Sequence, residues 1–253
     1  NILKSGKNAQ HTLVGRSFLA VHLVQRKCRE KIQDAMSINI TKAYSASHFK
    51  RVAELHRDSI TEGFLSTLGI SFLSALYKGI SCSKISNVII AQNSEDNTVG
   101  FLSCTLDVKN CYKEVLIKNF IPLSLAMAVN ALNLSIYRKI LETLAYPFKE
   151  NNTEKNLVKN GNEKITNHPE KMRPELLSMA VDASARGSGI GKMLVAEADN
   201  WMREKGAYGY YVVTHAFDER SNRFYQNCGF KKTHTFQNHG KPMNEYYKKL
   251  SDI

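Results

Sequence analysis

A glycine-rich turn near residue 190 has the residue types and spacing best suited to chemistry. It runs through Arg186, Gly187, Ser188, Gly189, Ile190, Gly191 and Lys192. Three glycines allow backbone torsions with φ > 0 and let a ligand approach the main chain closely. If a helix follows, its first amides lack intrahelical partners and carry the positive end of the helix dipole. Together with the charge of Arg186, this pattern predicts an anion site that a diphosphate would fit.

The flanking residues predict a strand before the turn and a helix after it. Leu176 to Val181 is an apolar run of strand length. Gly206 is placed to end the helix. Apolar residues recur at helical spacing between the turn and Gly206: Ile190, Met193, Leu194, Ala198, Trp201 and Met202.

Two common phosphate motifs do not match the spacing of this turn. A Walker loop needs glycine where Arg186 stands and serine or threonine where Met193 stands. A dinucleotide-binding fingerprint needs its third glycine at Lys192 and usually opens a domain. A glycine-rich connection with no ligand is the remaining structural alternative for the turn taken alone.

Residues 218–230 predict a second short helix. Asp218 is a good N-cap, and Gly229 is a natural residue to follow the helix. Phe224 and Cys228 fall on one helix face. Taken alone, the segment is better explained structurally, with Tyr225 as an ordinary half-buried aromatic residue.

The two segments together resemble the GNAT N-acetyltransferase superfamily. Arg-x-x-Gly-x-Gly at 186–191 resembles its coenzyme A pyrophosphate loop, and Phe224-Tyr225 before Gly229-Phe230 resembles its C-terminal helix. The resemblance covers residues 37–109 and 174–250. It implies an α/β (α+β) GNAT fold: a mixed, mostly antiparallel twisted sheet flanked by helices, with a helical insertion between strands 3 and 4. Residues 63–69 and 240–243, with this insertion, more loosely resemble a branch associated with surface-polysaccharide or amino-sugar metabolism.

The hydrophobic pattern predicts the same element order. Helices are expected from Ser45 and around residues 72–77, with a break at 63–69, and His56 is expected at a surface or groove. The predicted strands are Ser37 to Ala43, Val88 to Gln92, Val99 to Asp107, Leu176 to Val181, Tyr210 to Phe217, Lys231 to Gln237 and Met243 to Leu250.

The domain organisation is predicted as one catalytic domain with additions. Residues 1–35 are basic and are expected to be an appendage or a segment added for expression. Residues 36–250 form the acetyltransferase domain, interrupted at 110–173 by a helical insertion and a polar linker. Residues 119–137 carry no charge, but proline, serine and asparagine make them a poor membrane span. A helical pair over the acceptor side is the preferred account, and a membrane-surface or dimer helix is the alternative.

The resemblance implies transfer of an acetyl group from acetyl-CoA to a primary amine. An alkylamine is mostly protonated near neutral pH, so a base is required. Glu175 matches the family's carboxylate on the central strand, with His215 or water as the other candidates for the base. Tyr225 matches the general acid that protonates the departing thiolate. A backbone amide at a bulge near Met179 to Val181 is expected to stabilise the thioester oxygen.

The residues expected to contact the cofactor come from the central strand, the turn and the C-terminal helix. Asp218 replaces an asparagine common in the family, so it is expected to cap the helix first and to contact cofactor second. The expected contacts are Met179, Ala180, Val181, Arg186, Gly187, Ser188, Gly189, Ile190, Gly191, Lys192, Asn222 and Tyr225.

Composition narrows the possible partners and compartment. The chain has 253 residues, 43% of them hydrophobic, with a net charge of +12. Its basic residues are scattered rather than interleaved with aromatics, so nucleic acid is not expected as a partner, and a phosphate-bearing cofactor suits the charge. The five cysteines lack metal-ligand spacing, which predicts no metal and a reducing, cytoplasmic location.

Three functions remain open at this point. The first is an N-acetyltransferase for a small-molecule amine such as an amino sugar or sugar nucleotide. The second is a protein lysine or N-terminal acetyltransferase. The third is a coenzyme A-binding module without catalysis, against which the intact Glu175 and Tyr225 count. A homodimer is compatible with each of them.

Overall fold

The computed structural model describes residues 38–60, 64–118, 172–238 and 240–250. Within them the strands are β1 (Asn39–Lys42), β2 (Ser86–Gln92), β3 (Thr98–Thr105), β4 (Glu175–Val181), β5 (Gly209–His215), β6 (Lys231–Asn238) and β7 (Lys241–Lys249). These seven form one sheet in the order β1-β2-β3-β4-β5-β7-β6. All neighbours are antiparallel except β4 and β5, which run parallel. This mixed, mostly antiparallel sheet confirms the predicted fold class.

The described helices are α1 (Ala46–Ser59), α2 (Gly69–Cys82), α3 (Val108–Lys118), α4 (Ile190–Glu204) and α5 (Glu219–Asn227). Local sequence explains where several of them begin and end. The Ser45 hydroxyl accepts the His48 amide at 3.1 Å and caps α1. Gly206 and Gly229 follow α4 and α5 with φ of 76° and 88°, as the sequence predicted. A short 3-10 segment, Ala183–Ala185, separates β4 from the glycine turn.

Two apolar cores lie on the two faces of the sheet, because alternate side chains of β2 and β3 are buried on opposite sides. The α1–α2 core includes Phe49, Val52, Phe72, Leu73, Tyr77 and Phe101. The α4 core includes Leu102, Leu176, Leu194, Met202, Tyr210 and Tyr246. Helix α3 adds Cys111 and Val115 to the first core, and α5 adds Tyr225 to the second.

Some predictions fall outside the described residues or need correction. The predicted appendage at 1–35 lies outside them, as does 119–171 of the predicted insertion and linker. Helix α3 is the described beginning of that insertion. His56, predicted at a surface or groove, is instead buried in the α1–α2 layer with 3% of its surface exposed. In the described part of the chain no helix is long and apolar enough to cross a bilayer.

Candidate active site

A wedge opens in the sheet between β4 and β5. These strands pair only at Glu175 with Tyr211 and at Leu176 with Val212. Beyond Leu176 the two strands have no further paired residues, and they diverge toward their carboxyl ends. The facing edges of 178–181 and 213–215 are therefore the place in the sheet where an extended ligand can insert between strands.

The backbone of β4 presents alternate amides to this wedge. The Asp182 amide donates to the Val99 carbonyl on β3 at 2.8 Å. Because successive residues of a strand face opposite edges, Val181 and Met179 direct their amides toward the wedge. Ala180 faces β3 and packs its side chain into the α1–α2 core. The structure therefore does not support the predicted cofactor contact through Ala180.

The predicted bulge exists, but it lies nearer the start of β4 than the sequence suggested. Ser103 pairs with Ser178 and the adjacent Cys104 pairs with Leu176, so Leu177 is the extra residue. From Ser178 to Val181 the pairing with β3 is regular. The bulge expected near Met179 to Val181 is therefore centred on Leu177, because cross-strand register decides its position.

The glycine turn forms an open backbone cradle at the mouth of the wedge. Gly187 and Gly189 have φ of 84° and 90°, and a Cβ at either position would meet nothing within 4 Å. Lys192 and Met193 donate their amides to the Gly189 carbonyl at 2.9 and 3.1 Å, which begins α4. The amides of Ile190 and Gly191 belong to the first turn of α4, where no helical carbonyl is in reach. Such a cradle fits the oxygens of a diphosphate.

Side chains of the turn hold its shape. The Arg186 guanidinium donates to the Val181 carbonyl at 3.0 Å and to the Ser59 hydroxyl of α1 at 3.2 Å. The Ser188 hydroxyl donates to the Ala185 carbonyl at 2.6 Å. Arg186 and Ser188 were both predicted to contact the cofactor, but the guanidinium and the hydroxyl form hydrogen bonds to other residues of the protein. Arg186 still places a positive charge beside the cradle.

A carboxylate stabilises the start of this turn. Asp182 accepts the Ser184 amide at 3.0 Å and pairs with Arg51 of α1 at 2.6 Å. The hydrogen bonds from Ser184, and secondarily the Arg51 charge, hold the pKa of Asp182 below its ordinary value. Arg51 and Arg186 therefore both tie the turn to α1.

Helix α5 begins beside the end of β5 and is fixed there by two side chains. Asp218 accepts the Ser221 amide at 3.0 Å, which confirms its capping role. Asn222 donates to the carbonyl of His215 at 3.0 Å and accepts from the Tyr246 hydroxyl at 2.7 Å. It also donates to the Asp218 carbonyl and accepts from Asn244. The Asn222 side chain is thus engaged within the protein, which does not support its predicted contact with cofactor.

Tyr225 of α5 packs in the α4 core and is 7% exposed. Its ring packs edge-on against Phe224 and Phe230, with centroids 5.3 and 5.5 Å apart. Its hydroxyl makes no hydrogen bond to any described residue. Burial raises the pKa of Tyr225. The phenol is therefore neutral at physiological pH and keeps a proton that it can donate.

Gly191 lets α4, β4 and α5 approach one another. A Cβ at this position would lie 3.0 Å from Cε2 of Phe224 and 3.7 Å from Cε of Met179. Phe224 adjoins Tyr225, and Met179 presents an amide to the wedge. The glycine turn, the β4 edge and the tyrosine helix are thus in contact around one residue.

Glu175 lies on the other face of the sheet, at the closed end of the wedge. Arg173 Nε is 3.4 Å from Oε2 of Glu175, and the Arg173 guanidinium also pairs with Glu245 of β7. The Arg173 Cζ lies 4.6 Å from the centroid of Tyr211. Glu245, which is 5% exposed, was missed in the sequence. The only signal for it was the alternation of Met243, Glu245 and Tyr247 along one strand face.

His215 ends β5 on the same face as Glu175. Its register partner is Met243, and its Nδ1 accepts the Phe217 amide at 3.4 Å. The structure thus brings both candidate bases to the face opposite α4 and α5, whereas Tyr225 lies on the α4 side. A ligand bound on the face of Glu175 and His215 would therefore meet a second, extended ligand inserted in the wedge at the edge of β4.

In the described ranges, the Cys228 thiol and the potential metal ligands do not form a second reactive site. Burial raises the pKa of Cys228, although Lys248 and Lys192 oppose the shift. This thiol stays protonated and packs at the end of α5. Within residues 38–60, 64–118, 172–238 and 240–250, no three His, Cys, Asp or Glu side chains cluster as metal ligands.

Comparison with protein families gives one match. Residues 158–230 match the model of the acetyltransferase (GNAT) family. This range contains β4, the glycine turn, α4, β5 and α5, and so includes the wedge and Tyr225. No curated protein sequence matches the chain significantly.

Solved structures of N-acetyltransferases share this fold. An N-acetyltransferase from Staphylococcus aureus Mu50 is 16% identical with a TM-score of 0.52, covering 85% of this chain and 99% of that one. The ribosomal-protein-S18-alanine N-acetyltransferase from Escherichia coli is 7% identical with a TM-score of 0.50, covering 85% and 96%. A spermidine N-acetyltransferase chimera from Vibrio cholerae and hSSAT is 10% identical with a TM-score of 0.50, covering 85% and 96%. At these identities the likeness is one of fold.

Proposed function

We propose that this chain, whose residues 158–230 match the model of the acetyltransferase (GNAT) family, transfers the acetyl group of acetyl-CoA to a primary amine of a small molecule, such as an amino sugar or sugar nucleotide. One observation carries the proposal. Gly191 of the glycine turn lies against Phe224 of α5 and the Met179 side chain of β4, and Tyr225, the residue after Phe224, carries a buried hydroxyl with no hydrogen-bond partner among the described residues. This combination provides a binding site for a diphosphate, a gap between strands for the extended pantetheine arm, and a proton donor.

The donor site uses mostly backbone groups. Gly187, Gly189 and the first-turn amides of Ile190 and Gly191 receive the diphosphate, and Lys192 adds an exposed positive charge. The amides of Met179 and Val181 line the wedge along which the pantetheine arm extends. Arg186 contributes charge and loop shape, because its guanidinium bonds to Val181 and Ser59. This division of roles revises the sequence-based set without changing its location.

The chemistry needs charge stabilisation at the carbonyl and a proton for the departing thiolate. The Met179 amide is the group aimed to stabilise the negative charge that develops on the thioester oxygen. Tyr225 supplies the proton from its neutral hydroxyl, and its raised pKa ensures that the proton is present. Met179 and Phe224, the residue before Tyr225, both lie against Gly191, so the two groups belong to elements that meet at this glycine.

Removal of the amine proton is assigned to Glu175, acting directly or through water. Arg173 lies 3.4 Å from this carboxylate and competes for it, so the incoming ammonium must share or displace that pair. His215 is the alternative at the open end of β5. A pH–rate profile separates them: Glu175→Gln should abolish the acidic limb, whereas His215→Gln should retain it. The reverse pattern would transfer the role to His215.

The face around Glu175 suits a cationic acceptor. Glu175 and Glu245 both contact Arg173, so two carboxylates share one guanidinium there. Tyr211 and Tyr247, whose centroids lie 4.9 Å apart, provide an apolar surface beside them. Two carboxylates beside an aromatic surface support binding of a small protonated amine. A lysine side chain or a protein N-terminus is the second candidate acceptor, and a coenzyme A-binding module without catalysis is the third.

A screen for coenzyme A release tests the function. Wild-type protein is incubated with acetyl-CoA and, separately, polyamines, amino sugars, amino-sugar nucleotides or lysine peptides, and the free thiol is measured. We expect release with at least one small amine and loss of about tenfold or more with Glu175→Gln. Release only with peptides would favour the second candidate. Binding of acetyl-CoA without release for any amine would favour the third.

A further inference from the structure

A connected series of polar side chains crosses the α1–α2 core and ends on β4. His56 Nδ1 lies 2.5 Å from Tyr77 Oη, and Tyr77 Oη lies 2.7 Å from Ser178 Oγ. Ser178 Oγ lies 2.8 Å from Ser103 Oγ on β3. His56, Tyr77 and Ser103 are at most 3% exposed. We refer to His56, Tyr77, Ser178 and Ser103 as the core polar chain.

This arrangement costs free energy that packing alone does not require. Buried hydroxyl and imidazole groups lose hydration, and apolar side chains would fill the same space at lower cost. The His56 Nε2 atom is buried without a hydrogen-bond partner in the described residues. The remaining atoms are satisfied if each hydroxyl donates once along the series, from Ser103 through Ser178 and Tyr77 to His56. The presence of the core polar chain inside an apolar layer therefore needs an explanation beyond packing.

The core polar chain meets β4 at the bulge. Ser178 follows the extra residue Leu177 directly. The side chains of Leu177 and Ser178 both point into the α1–α2 layer, whereas Met179 packs in the α4 core. The bulge thus reverses the alternation of β4 at this point. That reversal decides which amides face β3 and which face the wedge.

A shift of the bulge by one residue would disturb the donor site. Ser178 would turn away from Tyr77 and Ser103, and the Met179 amide would turn from the wedge toward β3. The two hydroxyl contacts of Ser178 oppose such a shift, because both would be lost inside an apolar core.

We propose that Ser178, held by Tyr77 and Ser103, is a positioning residue that fixes the β4 bulge so that the Met179 amide points at the thioester carbonyl of the donor. This inference rests on the proposed function, since it assigns a cause to the aim of that amide. Ser178 itself does not touch the reacting atoms. Its effect is expected in the polarisation of the carbonyl rather than in the affinity for the donor.

Isotope-edited infrared spectroscopy of bound acetyl-CoA labelled with ¹³C at the acetyl carbonyl tests the inference without an acceptor. A hydrogen bond from the Met179 amide should lower the carbonyl stretch of the bound thioester below that of free acetyl-CoA. In Ser178→Ala we expect at least half of that shift to be lost, with the dissociation constant of acetyl-CoA changed less than about threefold. If Ser178→Ala does not fold, Tyr77→Phe removes the other hydroxyl and is measured in the same way.

Ser86→Ala is the matched control. It also removes a buried hydroxyl of the sheet, bonded to Thr105 Oγ1 at 3.0 Å, but Ser86 lies on β2, which does not pair with β4. Its bound carbonyl stretch should equal that of the wild type. A wild-type stretch in folded Ser178→Ala or Tyr77→Phe would overturn the positioning role and leave the proposed function intact. Absence of acetyl-CoA binding by the wild type would overturn the proposed function and this inference with it.

Discussion

Tyr225 differs from the other buried tyrosines of the α4 core in the partner of its hydroxyl. Tyr210 donates to Asp199 at 2.7 Å, and Tyr246 donates to Asn222 at 2.7 Å. Tyr225 has no such partner in the described part of the chain. Buried hydroxyls are normally hydrogen-bonded, so an unpaired one is suited to a ligand. At the residue scale this is the strongest sign of a catalytic group.

Replacement of Tyr225 by phenylalanine tests this role. Tyr225→Phe removes the proton donor and little volume, so kcat should fall by about 100-fold while the dissociation constant of acetyl-CoA changes little. Steady-state thiol release and equilibrium titration give the two values. Tyr210→Phe is the control, because it removes a buried hydroxyl of the same core and should lower stability but not kcat. An unchanged kcat in Tyr225→Phe would remove Tyr225 from the mechanism.

His56 makes the stability of the protein depend on pH. Burial lowers its pKa from 6.5 to about 4. Between these values the unfolded chain binds a proton that the folded chain does not, so stability is lost as pH falls from neutral to about 4. From pH 7 to pH 4.5 the loss due to His56 should be about 2 kcal/mol.

Urea unfolding at both pH values measures this effect. His56→Gln removes the titrating group and keeps a hydrogen-bonding side chain near Tyr77. Its stability should therefore fall less between pH 7 and pH 4.5 than that of the wild type. Equal losses in the two proteins would show that His56 does not titrate in this window.

At the scale of elements, close packing around Gly191 joins three parts of the site. Helix α4 approaches α5 so closely that a Cβ at Gly191 would lie 3.0 to 3.1 Å from two ring atoms of Phe224. The lack of a side chain at this position thus allows the Phe224 ring to pack closely on α4, in addition to any contact with phosphate. Because Gly191 has no side chain, the Phe224 ring of α5 can lie against the first turn of α4.

Gly191→Ala should therefore destabilise the protein although alanine favours helices. Overpacking against Phe224 costs about 1–3 kcal/mol, which exceeds the 0.5–1 kcal/mol of helix propensity gained. Phe224→Leu in the same chain should relieve the overlap. A double-mutant cycle by urea unfolding should then give a favourable coupling of about 1 kcal/mol. Additive effects would mean that the helices do not meet at Gly191.

Elements set by local chemistry were predictable from the sequence. The capping of α5 by Asp218 and the positive φ of Gly206 and Gly229 depend on a few adjacent residues. The bulge at Leu177 depends on how β4 aligns with β3, which no local pattern encodes. Glu245 and the core polar chain likewise depend on pairing between distant segments. The sequence therefore predicted the local elements that carry the candidate residues, and long-range register decided how their groups are oriented.

At the scale of the whole molecule, the sheet consists of two antiparallel parts joined by a short parallel ladder. One part runs from β1 to β4, and the other contains β5, β7 and β6. Only two residue pairs join them. The wedge between the parts is thus built into the topology, and the glycine cradle lies at its mouth. A net charge of +12 also favours approach of a ligand that carries several phosphates.

The central claim is that the glycine cradle binds the diphosphate of acetyl-CoA. Gly189→Asp tests it, because the substitution adds bulk and negative charge in the cradle. Gly206→Asp is the matched control: Gly206 follows the other end of α4, has a φ of 76° and also has open space around it. Both variants carry similar backbone strain of about 1–2 kcal/mol.

Thermal unfolding with and without acetyl-CoA is the most direct measurement. A ligand that binds only the folded state raises the melting temperature. We predict a rise for the wild type and for Gly206→Asp, and none for Gly189→Asp at the same ligand concentration. An equal rise in Gly189→Asp would contradict the assignment of the cradle.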